Sequence, residues 1–183
     1  PRVRTYLSLE ARRVAPRPGH RVVAVSQLIA HQLAQAYGPT LVAPVIAPGV
    51  AQADPVTDER RRQTRDRLGL PAAGTLCLLV ARNPMRKGLP TVLQALAALP
   101  DDVLLLVVGA NAASRDCVAR APESVRARVH LVAETSQVEP YYQAADLYVH
   151  PTLNDSFGMA PLEAMSFGLP VILSPAPWCG FAQ

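Results

Sequence analysis

From Thr75 onward, short apolar runs recur at regular intervals, at residues 75–80, 103–108, 129–132, 147–150 and 171–173. In each run the apolar positions are consecutive instead of alternating, so both faces of the strand need cover. Between them lie segments of helical period, expected at 58–68, 89–99, 113–120, 140–145 and 159–167. Strands buried on both faces and alternating with helices predict an α/β fold with one parallel sheet and helices on both sides.

The first third of the chain is less regular. An Arg-rich helix is expected at 5–14, ended by Pro16-Arg-Pro-Gly19, and a short buried strand at 21–25. Ser26 is a good N-cap for a helix at 27–37, whose Leu28, Ile29, Leu33 and Ala36 form an apolar stripe and which Gly38 stops. Residues 39–55 are rich in Pro, Gly and Ala, with strand-like pairs at 41–42 and 45–46, and suit a linker or a crossing between domains.

Composition narrows the function classes. Half of the 183 residues are hydrophobic, enough for a full core, and only 5% are aromatic, which argues against a base-stacking nucleic-acid surface. The net charge of +4 suits an anionic lipid surface, a phosphate ligand or, by default, an Arg-rich solvated surface. The basic run from Arg60 to Arg67 follows Asp58 and Glu59 and is most simply a capped, exposed helix. Cys77, Cys117 and Cys179 show no paired spacing, and His20, His31 and His130 share none, so a reducing compartment is expected and no metal site. No signal peptide and no apolar run of about 18 residues occurs. The chain starts without Met and stops abruptly, as an excised piece of a longer protein would.

The chemistry concentrates in Asn154-Asp-Ser-Phe-Gly-Met-Ala-Pro-Leu-Glu-Ala-Met-Ser-Phe-Gly-Leu-Pro-Val171. A polar loop turns at Gly158 into a helix that is apolar nearly all round and is expected to be buried. Glu163 is its one charged side chain, and a buried carboxylate needs hydrogen-bonding partners unless it escapes to solvent along one edge. Helical side chains tilt toward the N-terminus, so Glu163 is expected to point back toward the loop holding Asp155. Both carboxylates would then lie near a helix N-terminus, itself an anion site. In parallel sheets ligands sit beyond the carboxyl ends of the strands. There fall the segments 82–87, with Arg82, Arg86 and Lys87, then Gly109-Ala-Asn111, then 152–158. Cations and a helix N-terminus suit phosphate, and carboxylates suit sugar hydroxyls, which together point to a nucleotide sugar. No Asp-x-Asp occurs, so charge on the diphosphate falls to the cations instead of a metal. His150 ends a strand beside the cleft and could touch the ligand, against the simpler reading of a satisfied half-buried histidine; Tyr141 and Tyr142 are read as packing residues and Ser26 as a cap.

These motifs resemble a known family. Asp155-x7-Glu163 is similar to the E-x7-E segment of retaining glycosyltransferase family 4, whose members have the GT-B fold of two Rossmann-like domains. "ARNPMRKG" resembles its donor-phosphate loop, and "VVAVSQLIAHQLAQAYG" with "VIAPGV" its crossing between domains. "YYQAADLYVHPTLNDSFG" adds a further match, and the tail "PVILSPAPWCGFAQ" looks closest to the lipopolysaccharide-core glucosyltransferases. The resemblance implies that residues 1–40 end the N-terminal domain and make the crossing, and that 41–183 form a nucleotide-sugar-binding domain incomplete at its C-terminus. It implies transfer of a hexose, with retention, from a nucleoside-diphosphate sugar, UDP-sugar favoured, to a glycan or glycolipid acceptor, without a metal cofactor. Arg82 and Lys87 would neutralise the departing diphosphate, and Asp155 would contact sugar hydroxyls. Glu163 would bind the ribose, the backbone N–H groups of Phe157, Gly158 and Met159 the sugar and phosphate, and the loop after Val132 the base. A cytoplasmic site, peripheral on the membrane, and no nucleic-acid partner go with this reading, and so does inactivity of the fragment alone. Asp155 stands where the family usually has Glu, one methylene longer, and Ala81 and Ser156 stand where it has Gly. Two rivals remain: a non-catalytic nucleotide-sugar-binding module, and a nicotinamide-dependent oxidoreductase, against which the lack of G-x-G-x-x-G argues.

Overall fold

A computed structural model describes residues 2–15 and 17–182. The elements are α1 (Arg2–Val14), α2 (Gln27–Tyr37), α3 (Asp58–Arg67), β1 (Thr75–Val80), α4 (Leu89–Leu96) and β2 (Val103–Ala110). There follow α5 (Ala112–Ala119), α6 (Glu123–Arg126), β3 (Val129–Ala133), α7 (Glu139–Ala144), β4 (Leu147–His150), α8 (Met159–Ser166) and β5 (Val171–Leu173). The five strands form one parallel sheet in the order β3-β2-β1-β4-β5.

Successive residues of β1 and β2 face opposite ways, and both ways lead to core. Leu76, Leu78, Leu106 and Val108 pack with Tyr142, Tyr148 and Ala164 on one face. Cys77, Leu79, Leu105 and Val107 pack with Leu89, Leu93 and Val125 on the other. The carboxyl ends of the central strands thus open on one edge of a two-sided core.

Several expectations change. The strand expected at 21–25 is a single parallel bridge, Ala24 to Val45, because the facing segment contains Pro44, which has no N–H to give a ladder. Val23 and Val25 are exposed beside it, and Val42 in the other strand-like pair is 82% exposed. Helix α4 ends at Leu96 instead of Leu99, as Ala98 and Leu99 donate to Ala95 and Leu96 in tighter turns ahead of Pro100. Helix α6 follows Pro122 and was not foreseen. The Pro16 stop of α1 lies outside the described residues. The basic run is not simply a solvated face. Arg65 is 4% exposed, and its guanidinium donates to Ala144 O at 2.8 Å, Gly74 O at 3.2 Å and Asp146 Oδ2 at 2.6 Å. Helix α8 is not buried either: only Pro161 and Ala164 are, while Met165 is 52% exposed. It lies over β4 and the edge strand β5, so one of its sides has no layer outside it among the described residues.

Candidate functional site

The loop after β1 folds on itself before it reaches its neighbours. Asn83 accepts from Arg86 N through its side chain and from Lys87 N through its carbonyl, at 3.2 and 3.1 Å. Gly88 then takes φ 91°, ψ 21° at the start of α4, and a Cβ there would collide with the carbonyl of Pro151. Only glycine therefore lets this loop lie against the loop after β4. A backbone bond from Leu153 N to Arg86 O, 3.1 Å, joins the two.

That contact brings Lys87 to Asp155. Lys87 Nζ lies 2.6 Å from Asp155 Oδ2 and also donates to Asn154 O at 3.3 Å. His150, at the end of β4 and 1% exposed, places Nε2 2.9 Å from the same Oδ2. Burial pushes the Asp155 carboxyl up, but the bonds from His150 and Lys87 and the charge of Lys87 outweigh burial and hold it well below the usual carboxylate range. Asp155 is therefore an anion with two partners on one oxygen.

The loop is braced from the other side by the chain end. Asp155 N donates to Trp178 O at 2.8 Å, and Gly180 N to Asp155 O at 3.0 Å. The Phe157 ring meets Phe181 edge-on at 5.5 Å, and Cys179 Sγ reaches Phe157 O. Ser26 caps α2 by accepting from Ile29 N, as expected, and also donates to Ser156 O at 2.6 Å. Gly158 follows with φ 106° and no side chain caps α8. Because Pro161 has no N–H, the first-turn donors of α8 are those of Met159 and Ala160.

Glu163 Oε2 accepts from the Tyr142 hydroxyl at 2.8 Å, across to α7, and the same hydroxyl lies 3.4 Å from Ala160 O, one turn back along α8. Tyr142 is buried and stacks on Phe167 at 5.3 Å. Burial, the neighbouring Tyr148 hydroxyl and Glu163 together push the Tyr142 phenol up, so it stays a proton donor. Glu163 lines a cavity of about 540 Å³ with Asp54, Arg60, Glu139 and Gln143, and Asp155, Lys87 and Arg82 are not on its wall. The two carboxylates thus serve different neighbours.

Arg82 is 90% exposed and pairs with Glu134 at 3.1 Å, which joins the ends of β1 and β3. Arg86 is also exposed. Val132 is half-buried against the core face that holds Tyr142, with Ala133 and Glu134 beyond it in the open. Among the described residues, no group of three or more His, Cys, Asp or Glu is placed to hold a metal ion. Sequence reasoning missed the second roles of Tyr142 and Ser26, and Glu134. The tyrosine had one signal, a lone acid on an apolar helix in need of a donor.

The model of the family "Glycosyl transferases group 1" matches residues 60–180. A D-inositol 3-phosphate glycosyltransferase of Xylanimonas cellulosilytica is 32% identical over 184 residues, covering 86% of this chain and 44% of that protein. The lipopolysaccharide glucosyltransferase WaaG of Escherichia coli is 32% identical over 123 residues, 65% of this chain and 32% of its own length. The chain therefore spans less than half the length of these relatives. The crystal structure of WaaG superposes with a TM-score of 0.85 at 27% identity, over 99% of this chain and 50% of that one. Anabaena HepE, solved in complex with UDP and glucose, superposes at 0.73 with 25% identity, over 88% and 45%. The sheet is that of a GT-B glycosyltransferase, and the chain belongs to the group 1 glycosyltransferases.

Proposed function

We propose that this chain is the nucleotide-sugar-binding part of a hexosyltransferase, with residues 41–183 as the binding domain and 1–40 as the end of the preceding domain and the crossing. The observation that carries the reading is the Lys87–Asp155 pair set at 2.6 Å beside the uncapped start of α8. A cation, free backbone donors and a carboxylate then meet beyond the carboxyl ends of β1 and β4, where parallel sheets bind ligands. The donor is a UDP-sugar, as suits the likeness to HepE. Its diphosphate lies against Lys87, Arg82 and the N–H groups of Phe157, Gly158 and Met159, its ribose at Glu163 and its base past Val132. Asp155 meets the sugar hydroxyls.

In the reaction the bond from the sugar's anomeric carbon to the diphosphate oxygen breaks, and an acceptor hydroxyl forms a new bond on the same face as it gives its proton to the departing diphosphate. The protein's part is to orient the two and to stabilise charge growing on the leaving diphosphate. No metal is required, because Lys87 and Arg82 supply the positive charge. The acceptor is a glycan or glycolipid, and a lipopolysaccharide core suits the likeness to WaaG. No helix among the described residues is long and apolar enough to cross a membrane, and a cytoplasmic enzyme meeting its acceptor at the membrane surface is the reading we favour.

Calorimetric titration with UDP, UDP-glucose, GDP-mannose and NAD, each with and without EDTA, tests this. Expected is binding of UDP and UDP-glucose that EDTA leaves unchanged and Glu163→Ala abolishes. Binding of NAD alone overturns the reading, and loss of UDP binding in EDTA overturns its metal-free form.

A further inference from the structure

Asp155 uses its two carboxylate oxygens unequally. Oδ2 takes Lys87 Nζ at 2.6 Å and His150 Nε2 at 2.9 Å, while Oδ1 has no hydrogen-bond partner among the described residues. The histidine differs from the lysine in what it can leave. His150 is 1% exposed on β4, its ring stacked on Tyr148 with centroids 6.0 Å apart. Tyr148 is in turn fully buried and donates to Val80 O at 3.2 Å. Lys87 sits on a flexible stem in a loop, so it can shift toward an incoming phosphate, whereas the imidazole cannot follow.

We infer that His150 is a positioning residue for the donor sugar: it holds Asp155 by Oδ2, so that Oδ1 is presented to a sugar hydroxyl. The inference rests on the nucleotide-sugar reading above. It requires a proton on Nε2, which Asp155 accepts; Nδ1 lies 3.5 Å from the Tyr148 oxygen, whose own proton goes to Val80 O. It also accounts for a carboxylate shorter than glutamate. An aspartate clamped by a rigid strand residue needs no reach of its own, because the loop has been drawn to the strand. Without the clamp, Asp155 would follow Lys87 or turn to water, and the sugar would lose an aligned acceptor.

The test separates sugar from nucleotide. UDP and UDP-glucose are titrated into the chain and into His150→Leu, which removes the donor, and His150→Gln, which keeps an N–H near the same place. Expected is a UDP affinity unchanged within about twofold in all three, with UDP-glucose about tenfold weaker in His150→Leu and restored to within about threefold in His150→Gln. Imidazole 15N shifts should report the Nε2–H tautomer and should move in Asp155→Asn. If His150→Leu does not fold, the ratio is read on His150→Asn, which is too short to reach Oδ2. Equal losses for UDP and UDP-glucose, or no loss for either, overturn the positioning role, and so does an Nδ1–H tautomer. A chain that binds neither ligand in any form overturns the nucleotide-sugar reading itself.

Discussion

At the scale of single residues, Asp155 links stability to pH in a defined direction. Its folded carboxyl lies well below the usual range, because bonds from His150 and Lys87 outweigh burial. A depressed folded value means that its contribution is complete above the unfolded carboxyl value of about 4 and shrinks as pH falls toward the folded one. Asp155→Asn should therefore cost about 2 kcal/mol at pH 7, the scale of a hydrogen bond to a charged group. Urea unfolding should show a gap between the two proteins that is constant from pH 8 to about 5 and narrows below about 4. A gap that widens in acid would contradict the assignment. Glu163 allows a milder test, since Tyr142→Phe keeps the stack on Phe167 and removes only the 2.8 Å bond. UDP binding should weaken by up to about tenfold, equivalent to about 1.4 kcal/mol, and calorimetry that shows no change would free Glu163's orientation from Tyr142.

Helices, strands and loops depend on groups far apart in sequence. Arg65 ties α3 to the carbonyls of Ala144 and Gly74 and to Asp146, whose Oδ2 also accepts from Leu76 N at the start of β1. Arg65→Ala leaves two carbonyls without their donor and strips its shortest charged partner from a half-buried carboxylate, which keeps Leu76 N and the longer pair with Arg61. It should cost about 3 kcal/mol, measured by urea unfolding, far more than any exposed arginine in the same run. Nothing in the spelling of that run separates Arg65 from Arg62, because the distinction is made by Asp146, which local pattern does not reach. The strands were legible for the opposite reason. Burial on both faces leaves a mark in consecutive residues, and β1 and β4 have the bounds expected of them; β5 has its bounds too but not its expected burial, since at the sheet edge Ile172 is 63% exposed. The strand at 21–25 was misread because the same apolar mark arises where one residue bridges and its neighbours stay exposed. The site was legible as three loops, since position at strand ends follows from topology. Who bonds whom within it was not: Lys87 reaches Asp155 only because Gly88 lets two loops touch. Gly88→Ala should lose about 2 kcal/mol or more of stability, as it combines a positive φ with a collision against Pro151. Nucleotide binding should fall with it.

For the molecule as a whole, the question is how the first forty residues are held to the site loop. One side chain does both jobs. Ser26 starts α2 by capping Ile29 N and fastens Ser156 O at 2.6 Å, next to where Gly180 leaves no room for a Cβ. Any shift of α2 relative to the sheet therefore acts on the loop that carries Asp155, Phe157 and Gly158. The two jobs can be measured apart. Glycine is nearly as good an N-cap as serine, so Ser26→Gly costs only a few tenths of a kcal/mol through the helix. The Ser156 carbonyl meanwhile loses its donor in a part-buried place, a further loss of about 1 kcal/mol. Ser26→Gly should thus destabilise the chain by more than capping allows, and limited proteolysis should find residues 152–158 cut sooner while 89–133 stay protected. If the loss stays within a few tenths and the loop is no more sensitive, the crossing and the loop are independent.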